Sequence, residues 1–403
     1  MKKKNSLAIF GGSKSFNYKS EHYIWPPKNK QRYIEVKKYL RKNKLNAVGY
    51  PDIVKKFEDK FRRRINMKYA LSTNSGTSAL HASFFAINLK KGDEVIVPSI
   101  TFYATATPLL KFGVRLKFCG CDLNTGNICI SDLKKKLSKK TKAVVVTHLC
   151  GHPCEMNEIM KLKKKYSFTL IEDCSHAHES TYKGKKVGTF GDIGVFSMDR
   201  NKLLSVGEGG VMVTNNKNLF ERALLITDFG PRLESQITLR KNKKFIETGL
   251  GFKHRMHPLA AAIAFNELDN LKKYIKLRHQ KLNYLSKGLS KIIGLKPPAT
   301  KKYVNRGAFY SYRLFFDKTK FKKLNIDFFI KALKAEGINV RKSGNKPLHL
   351  LPYFKQQNKI LKIISAEKYY NSTISLPTFT FDSYSIINGY LKAFKKVCNY
   401  FCV

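Results

Sequence analysis

Val195-Phe196-Ser197-Met198-Asp199-Arg200-Asn201-Lys202-Leu203-Leu204-Ser205-Val206-Gly207-Glu208-Gly209-Gly210 reads as an apolar strand that runs through a serine into a lysine-bearing, glycine-rich turn. The chain contains 77 Lys and Arg, so Lys202 is singled out by its setting and not by its type. Apolar neighbours on both sides lower the cost of a neutral amine, which a lysine needs before it can act as a nucleophile.

Other short, β-branched runs bounded by turn residues surround this stretch. Tyr69–Ser72, Glu94–Val97, Val114–Phe118, Ala143–Thr147, Thr169–Asp173 and Val211–Thr214 read as strands buried on both faces. Helical segments alternate with them, after Ser75 and after Thr101 among others, so the pattern predicts an α/β fold with a mostly parallel central sheet flanked by helices. Upstream, residues 1–50 form an aromatic and basic arm with Trp25-Pro26-Pro27 and no clear period, followed by a helix from Asp52 to about Arg64. Pro258 opens a long connecting helix to about Ile293, proline being tolerated in the first turn. Beyond Pro297-Pro298 come Tyr310–Phe316, a helix from Ile326 to Glu336, the run Ile338-Asn339-Val340 and a closing helix from Ser383 to about Val397, which read as a smaller α+β domain. The expected division is an arm (1–50), a large α/β domain (51–290) and a small C-terminal domain (291–403).

The formal net charge is +49, which raises nucleic-acid or anionic-membrane binding. Its distribution argues against both. Lys2–Lys4, Lys134–Lys136, Lys163–Lys165 and Lys322-Lys323 are spread along the chain, whereas a binding footprint concentrates charge on one element. A positive field still favours an anionic, phosphate-bearing substrate. No apolar run reaches the roughly 20 residues that cross a bilayer, and the opening Met1–Phe10 has only Leu7–Phe10 as an apolar stretch, so a cytoplasmic protein is expected. The 8 cysteines are too sparse for a disulfide scaffold. Cys119-x-Cys121 and Cys150-x3-Cys154 lack a matching second pair, so no metal is expected despite His148, His152, His176 and His178 nearby.

Three further segments carry chemistry. In Asn74-Ser75-Gly76-Thr77-Ser78 a strand ends, a glycine lets a ligand approach and a helix opens with hydroxyl side chains, a setting that binds phosphate through free N–H groups. Ser75 serves equally as a plain N-cap. Asp173 ends a buried strand, where ligands of open α/β sheets bind, and its carboxylate could keep a pyridine nitrogen protonated; a capping loop aspartate is the other reading. Phe102 follows a strand directly and could stack on a flat ring or belong to the core, while Tyr103 should point the other way. Taken in chain order, these pieces supply what pyridoxal 5'-phosphate requires.

The same segments, with Gly92–Pro98, Glu172–His178 and Gly207–Gly210, make the chain similar to the DegT/DnrJ family of pyridoxal-phosphate-dependent sugar aminotransferases from about Leu7 to about Pro377. The resemblance implies the type I (aspartate-aminotransferase) fold. It also implies that Lys202 carries the cofactor, Asp173 pairs with the pyridine nitrogen, Phe102 stacks on the ring and His176 lies near the ring hydroxyl. Gly76, Thr77 and Ser197 would hold the phosphate. Gly251–Met256 resembles the family loop that crosses to a partner subunit, with Lys253 where many members have Asn, so a homodimer with shared active sites is implied. Arg341 and His349 stand where the family often places acceptor contacts, and both could equally be surface residues. Relatives that dehydrate their sugar carry histidine at the position of Lys202; its retention implies transamination.

The resemblance implies glutamate or glutamine as amino donor and a keto sugar, probably nucleotide-linked, as acceptor, for a surface glycan or a secondary metabolite. The openings Leu7–Gly12 and Trp25–Pro27 look more like the branch that aminates cyclitol ketones (inososes) or builds an amino-aromatic acid. A non-catalytic regulator that binds pyridoxal phosphate or nucleic acid is the alternative from another class, and elimination with the same lysine is a third.

Overall fold

A computed structural model describes residues 6–17, 25–247, 250–321, 324–344, 346–357 and 362–402. The lysine runs 2–4 and 322–323 lie outside these residues.

Seven strands build the central sheet: β1 (Tyr69–Thr73), β2 (Glu94–Pro98), β3 (Arg115–Cys119), β4 (Thr141–Thr147), β5 (Thr169–Asp173), β6 (Ile193–Ser197) and β7 (Gly210–Thr214), in the order β1-β7-β6-β5-β4-β2-β3. From β6 to β3 every pairing is parallel, and β7 runs against both β6 and β1. Burial on both faces explains the near-continuous apolar sequence of β2, β4, β6 and β7, whose residues are almost all inaccessible. A second, antiparallel sheet joins β8 (Leu295–Lys296), β9 (Tyr312–Phe316), β10 (Arg341–Lys342) and β11 (Thr373–Leu376) in the order β8-β9-β11-β10. This is a mixed α/β architecture of the expected class.

Helices follow the amphipathic pattern of the sequence. The first, α1 (Lys30–Arg41), begins at Asn29, whose side chain accepts from the Gln31 N–H. It is followed by α2 (Asp52–Ile65), which turns Ile53, Phe57, Phe61 and Ile65 inward, and by the largely buried α3 (Gly76–Ala86). The long α4 (Pro258–Leu289) runs into the small sheet's neighbourhood, where α5 (Ile326–Ala335) and α6 (Tyr384–Phe401) cover its apolar face with Phe329, Leu333, Tyr390 and Phe394.

Two elements differ from the sequence reading. The arm contains a helix, α1, which buries no residue and rests on α4 through Asn29 Nδ2 donating to Glu267 Oε1 at 2.9 Å and Arg32 pairing with Glu267 at 3.3 Å. Its weak amphipathic pattern reflects this polar docking. After Thr101 the chain forms two 3₁₀ turns, Tyr103–Thr105 and Thr107–Phe112, in place of a helix, with Pro108 inside the second and Gly113 closing it at a φ of 64°.

Candidate active site

The carboxyl ends of β1, β2, β4, β5 and β6 converge, as expected where ligands bind open α/β sheets. They open into a cavity of about 550 Å³ lined by Gly76, Thr77, Phe102, Asp173, His176, Ser197 and Lys202 from the large sheet and by Tyr310, Arg313 and Arg341 from the small one.

Lys202 is 9% exposed. Its backbone N–H donates to Asp199 O at 2.9 Å, and the turn closes where Val206 N–H donates to Met198 O. Gly207 adopts a φ of 92°, which a side chain disfavours. The ammonium lies 4.1 Å from the centroid of the Tyr310 ring, a cation–π contact that holds it inside the cavity. From the arm, Trp25 Nε1 donates to the Lys202 carbonyl at 2.9 Å.

At the start of α3, Ser75 Oγ accepts the Ser78 N–H at 3.1 Å, so Ser75 is indeed the N-cap. That leaves the first N–H groups of the helix without intrahelical partners. Gly76 brings bare backbone against β6: a Cβ there would stand 2.7 Å from the Ser197 Cβ. The result is a cradle of N–H groups and hydroxyls with the positive end of a helix dipole behind it.

Asp173 is buried and fully engaged. Its Oδ2 accepts from Thr105 Oγ1 at 2.8 Å and its Oδ1 from the Ser175 N–H at 3.1 Å. The Thr105 hydroxyl continues to Thr101 at 2.8 Å, which reaches Thr147 at 2.9 Å. This hydroxyl chain ties the ends of β2, β4 and β5 together and fixes the carboxylate. His176 stacks on Tyr310 with centroids 4.0 Å apart and planes 10° apart, and its Nδ1 is buried without a partner. Burial, then the charge of Lys202, holds its pKa well below the ordinary histidine range, so the ring is neutral at neutral pH.

Other predicted residues are placed differently. Phe102 lines the cavity and is 44% exposed; its ring packs on Tyr103, at 4.0 Å between centroids, so Tyr103 does not point away as expected. Lys253 is exposed, has a φ of 52° and lies outside the cavity lining, with its ammonium 5.7 Å from the Phe229 ring. Arg341 lines the cavity at its exposed side. His349 does not. It is buried with Nδ1 2.6 Å from Ser99 Oγ and Nε2 3.2 Å from Glu367, so both ring nitrogens are spent within the protein. It ties the turn at Leu348–Leu350 and Glu367 to the end of β2. Tyr310, Arg313 and Thr105 were missed; Tyr310 and Arg313 sit in a run that reads only as an alternating strand.

The metal question also has a geometric answer. His148, Glu172 and Cys174 lie together, but His148 Nδ1 accepts the Cys154 N–H, leaving its proton on Nε2 to donate to Glu172. Glu172 further accepts the N–H groups of Gly188, Phe190 and Gly191. The trio is a satisfied hydrogen-bonded core.

The model of the DegT/DnrJ/EryC1/StrS aminotransferase family matches residues 27–381. The chain belongs to this family. Its members depend on pyridoxal phosphate, and the cavity fits that group: a phosphate cradle at Gly76, Thr77 and Ser197, a fixed carboxylate at Asp173, an unpartnered ring nitrogen on His176 and a lysine between them. GDP-perosamine synthase of Escherichia coli O157:H7 is 36% identical over 240 residues, 60% of this chain and 64% of that protein's length. Spore coat polysaccharide biosynthesis protein SpsC of Bacillus subtilis is 29% identical over 352 residues, 85% of this chain and 89% of that protein. Among solved structures, Helicobacter pylori PseC, an aminotransferase involved in the biosynthesis of pseudoaminic acid, superimposes with a TM-score of 0.83 at 25% identity, covering 96% of this chain and 100% of that one. Within this DegT/DnrJ aminotransferase frame the type I fold is established.

Proposed function

We propose that this DegT/DnrJ aminotransferase moves an amino group from glutamate or glutamine to a keto sugar carried on a nucleotide, for an amino sugar of a surface glycan or a secondary metabolite. The observation that carries the reading is Lys202, held on Tyr310 inside a cavity that the Gly76–Ser197 cradle and Asp173 also line.

Pyridoxal phosphate, when bound, supplies an electron sink for the substrate's α-carbon. Gly76, Thr77 and Ser197 bind the phosphate. Asp173, whose carboxylate is oriented by two hydrogen bonds, would hold the pyridine nitrogen's proton. The Lys202 amine would take the proton from the donor's α-carbon as base and give it back as acid. His176 would offer its unpartnered Nδ1 to the ring hydroxyl, and Phe102 would cover the ring.

A nucleotide-linked acceptor is supported by a second cavity of about 590 Å³ that adjoins the first and shares Asn201, Tyr310 and Arg341 with it; Lys28, Arg200 and the buried Arg278 line it as well, so a diphosphate would meet three exposed cations, Lys28, Arg200 and Arg341. The name of one relative, GDP-perosamine synthase, points the same way.

We also infer a homodimer. The 250–257 loop is pinned at Arg255, which pairs with Asp228 at 3.4 Å and bridges to Thr73, while Phe252 is 64% exposed beside Lys253. That arrangement suits a loop that offers Lys253 to a partner's phosphate cradle. The same reading keeps the arm (1–50), large (51–290) and small (291–403) divisions, supported by the separation of the seven-stranded from the four-stranded sheet, with a third, short sheet pairing Val304–Asn305 to Thr181–Tyr182 across the boundary, and a cytoplasmic location; among the described residues no helix is long and apolar enough to cross a membrane.

The test is the visible spectrum of the protein with pyridoxal phosphate before and after L-glutamate or L-glutamine, wild type beside Lys202→Ala. A yellow band that the donor bleaches in wild type, absent or unresponsive in the variant, is expected. A wild type that takes up no cofactor or ignores both donors overturns the reading. Supplying a nucleotide-linked keto sugar or a keto-inositol to the bleached enzyme then decides the acceptor.

A further inference from the structure

A third cavity, of about 370 Å³, takes no part in the roles above. Strand β9 lines it with Phe315 and, at the boundary with the lysine cavity, with Arg313. Both residues alternate with Tyr312, Leu314 and Phe316, which enter the apolar core, so the opposite face of one strand serves two cavities. Leu123 and Thr125, from the turn that follows β3, line the third cavity as well. Its walls therefore come from both parts of the fold.

Among the described residues its lining carries four cations, Lys296, Arg306, Arg313 and Lys368, and no Asp or Glu. In a chain this rich in lysine the exposed Lys296 and Lys368 mean little alone. Arg306 is another matter, being 3% exposed. Its guanidinium donates to the Thr300 hydroxyl at 2.7 Å and to the carbonyls of Ala299 and Cys150. These bonds give it a structural task, tying Ala299-Thr300 to Cys150, but all three acceptors are neutral. A buried charge that is held in place without being neutralised favours an anion from outside the protein. Leu123, Pro297, Pro298 and Phe315 supply apolar wall between the cations. Apolar walls with a few convergent charges, at this volume, are the make-up of a small-molecule site.

We propose that this cavity binds a phosphate monoester carried on a flat ring, and that its occupancy tunes the lysine cavity. The phosphate meets Arg306, Lys296 and Lys368, and the ring lies on the apolar wall. At about 370 Å³ against about 590 Å³, the site suits a smaller ligand than the nucleotide-linked acceptor. A nucleoside monophosphate and a phosphorylated pyridine of the cofactor type share the required chemistry. Ser311 and Arg313 line both this cavity and the one that holds Lys202. A ligand in one is thereby coupled to a ligand in the other, and the coupling is reciprocal. The binding stands apart from the aminotransferase reading; the tuning rests on it.

The probes are UMP and pyridoxine 5'-phosphate, which lacks the aldehyde that reacts with lysines. Each is titrated by calorimetry into the cofactor-loaded wild type and into Lys296→Glu/Lys368→Glu, whose two positions are exposed. We expect the double variant to bind one probe molecule fewer per chain, affinity at that site falling by at least about tenfold; counting sites separates it from UMP held in the acceptor cavity. Loss of a UMP site identifies a nucleotide as the ligand, and loss of a pyridoxine phosphate site a cofactor-type compound. Saturating the site should shift the glutamate concentration for half-saturation by about fivefold or more in wild type and not in the variant. Equal binding of both probes to wild type and variant, or no binding of either, overturns the proposal. A site lost in the variant whose filling leaves the glutamate response unchanged overturns the tuning. If wild type has the site yet ignores glutamate and glutamine altogether, the aminotransferase reading fails and the phosphate site stands.

Discussion

His176 and Tyr310 lie face to face, 4.0 Å apart and within 10° of parallel, although one follows β5 of the large sheet and the other precedes β9 of the small one. The tyrosine thereby joins the buried histidine to the ammonium of Lys202 on one aromatic surface. Tyr310→Leu removes both contacts and keeps an apolar filler. Each cation–π or stacking contact contributes about 1 kcal/mol, so losing both should slow the glutamate half-reaction by up to about 30-fold while Tyr310→Phe stays near wild type. Stopped-flow absorbance makes the comparison.

Gly76→Ala tests the cradle. The added Cβ would press on Ser197 at 2.7 Å, and relieving such overpacking costs about 1–3 kcal/mol. Because helix α3 and strand β6 must part to make room, pyridoxal-phosphate affinity should fall by at least about tenfold, read by equilibrium titration, with a smaller effect on thermal stability.

Thr105→Val removes the hydroxyl that donates to Asp173 and leaves the rest of the chain Thr101–Thr147 in place. A hydrogen bond to a charged acceptor contributes about 2 kcal/mol. Cofactor binding should weaken by more than tenfold, and Thr105→Ser should restore it.

Glu336 holds the arm. It accepts the N–H groups of Ala8 and Ser15 and the Ser15 hydroxyl, and meets Lys396 at 3.0 Å. Burial pushes its pKa up, but these bonds together outweigh burial and leave it below the ordinary glutamate range. A depressed folded pKa contributes stability above the ordinary value and loses it as pH falls through the folded one. Urea melts from neutral pH downward should therefore show wild type more stable than Glu336→Gln at neutrality, with the gap closing in acid below the usual glutamate pKa.

Much of the large sheet was legible because its strands are buried on both faces and their apolar runs end at turn residues that also carry chemistry: Ser75, Asp173 and Ser197 each sit where a strand stops. The small sheet hides its contribution. Tyr310 and Arg313 flank Tyr312 in a run whose alternation encodes one buried face, and only the pairing of β9 with β11 shows that the other face meets Lys202. Thr105 was hidden for a different reason, since a hydroxyl in a 3₁₀ turn has no periodicity to announce it. His349 misled because a histidine near a domain junction has the same sequence appearance whether its nitrogens face a ligand or, as here, Ser99 and Glu367. Helix α1 escaped notice because it docks through Asn29 and Arg32 and not through an apolar stripe.

The chain has a single tryptophan. Trp25 donates its indole proton to the carbonyl of Lys202 and lies under the guanidinium of Arg278, 4.9 Å away. The intrinsic fluorescence of the whole protein therefore comes, for its indole component, from a single dye already installed at the lysine turn. Cofactor uptake, donor binding and detachment of the arm can each be followed by emission from the unlabelled enzyme.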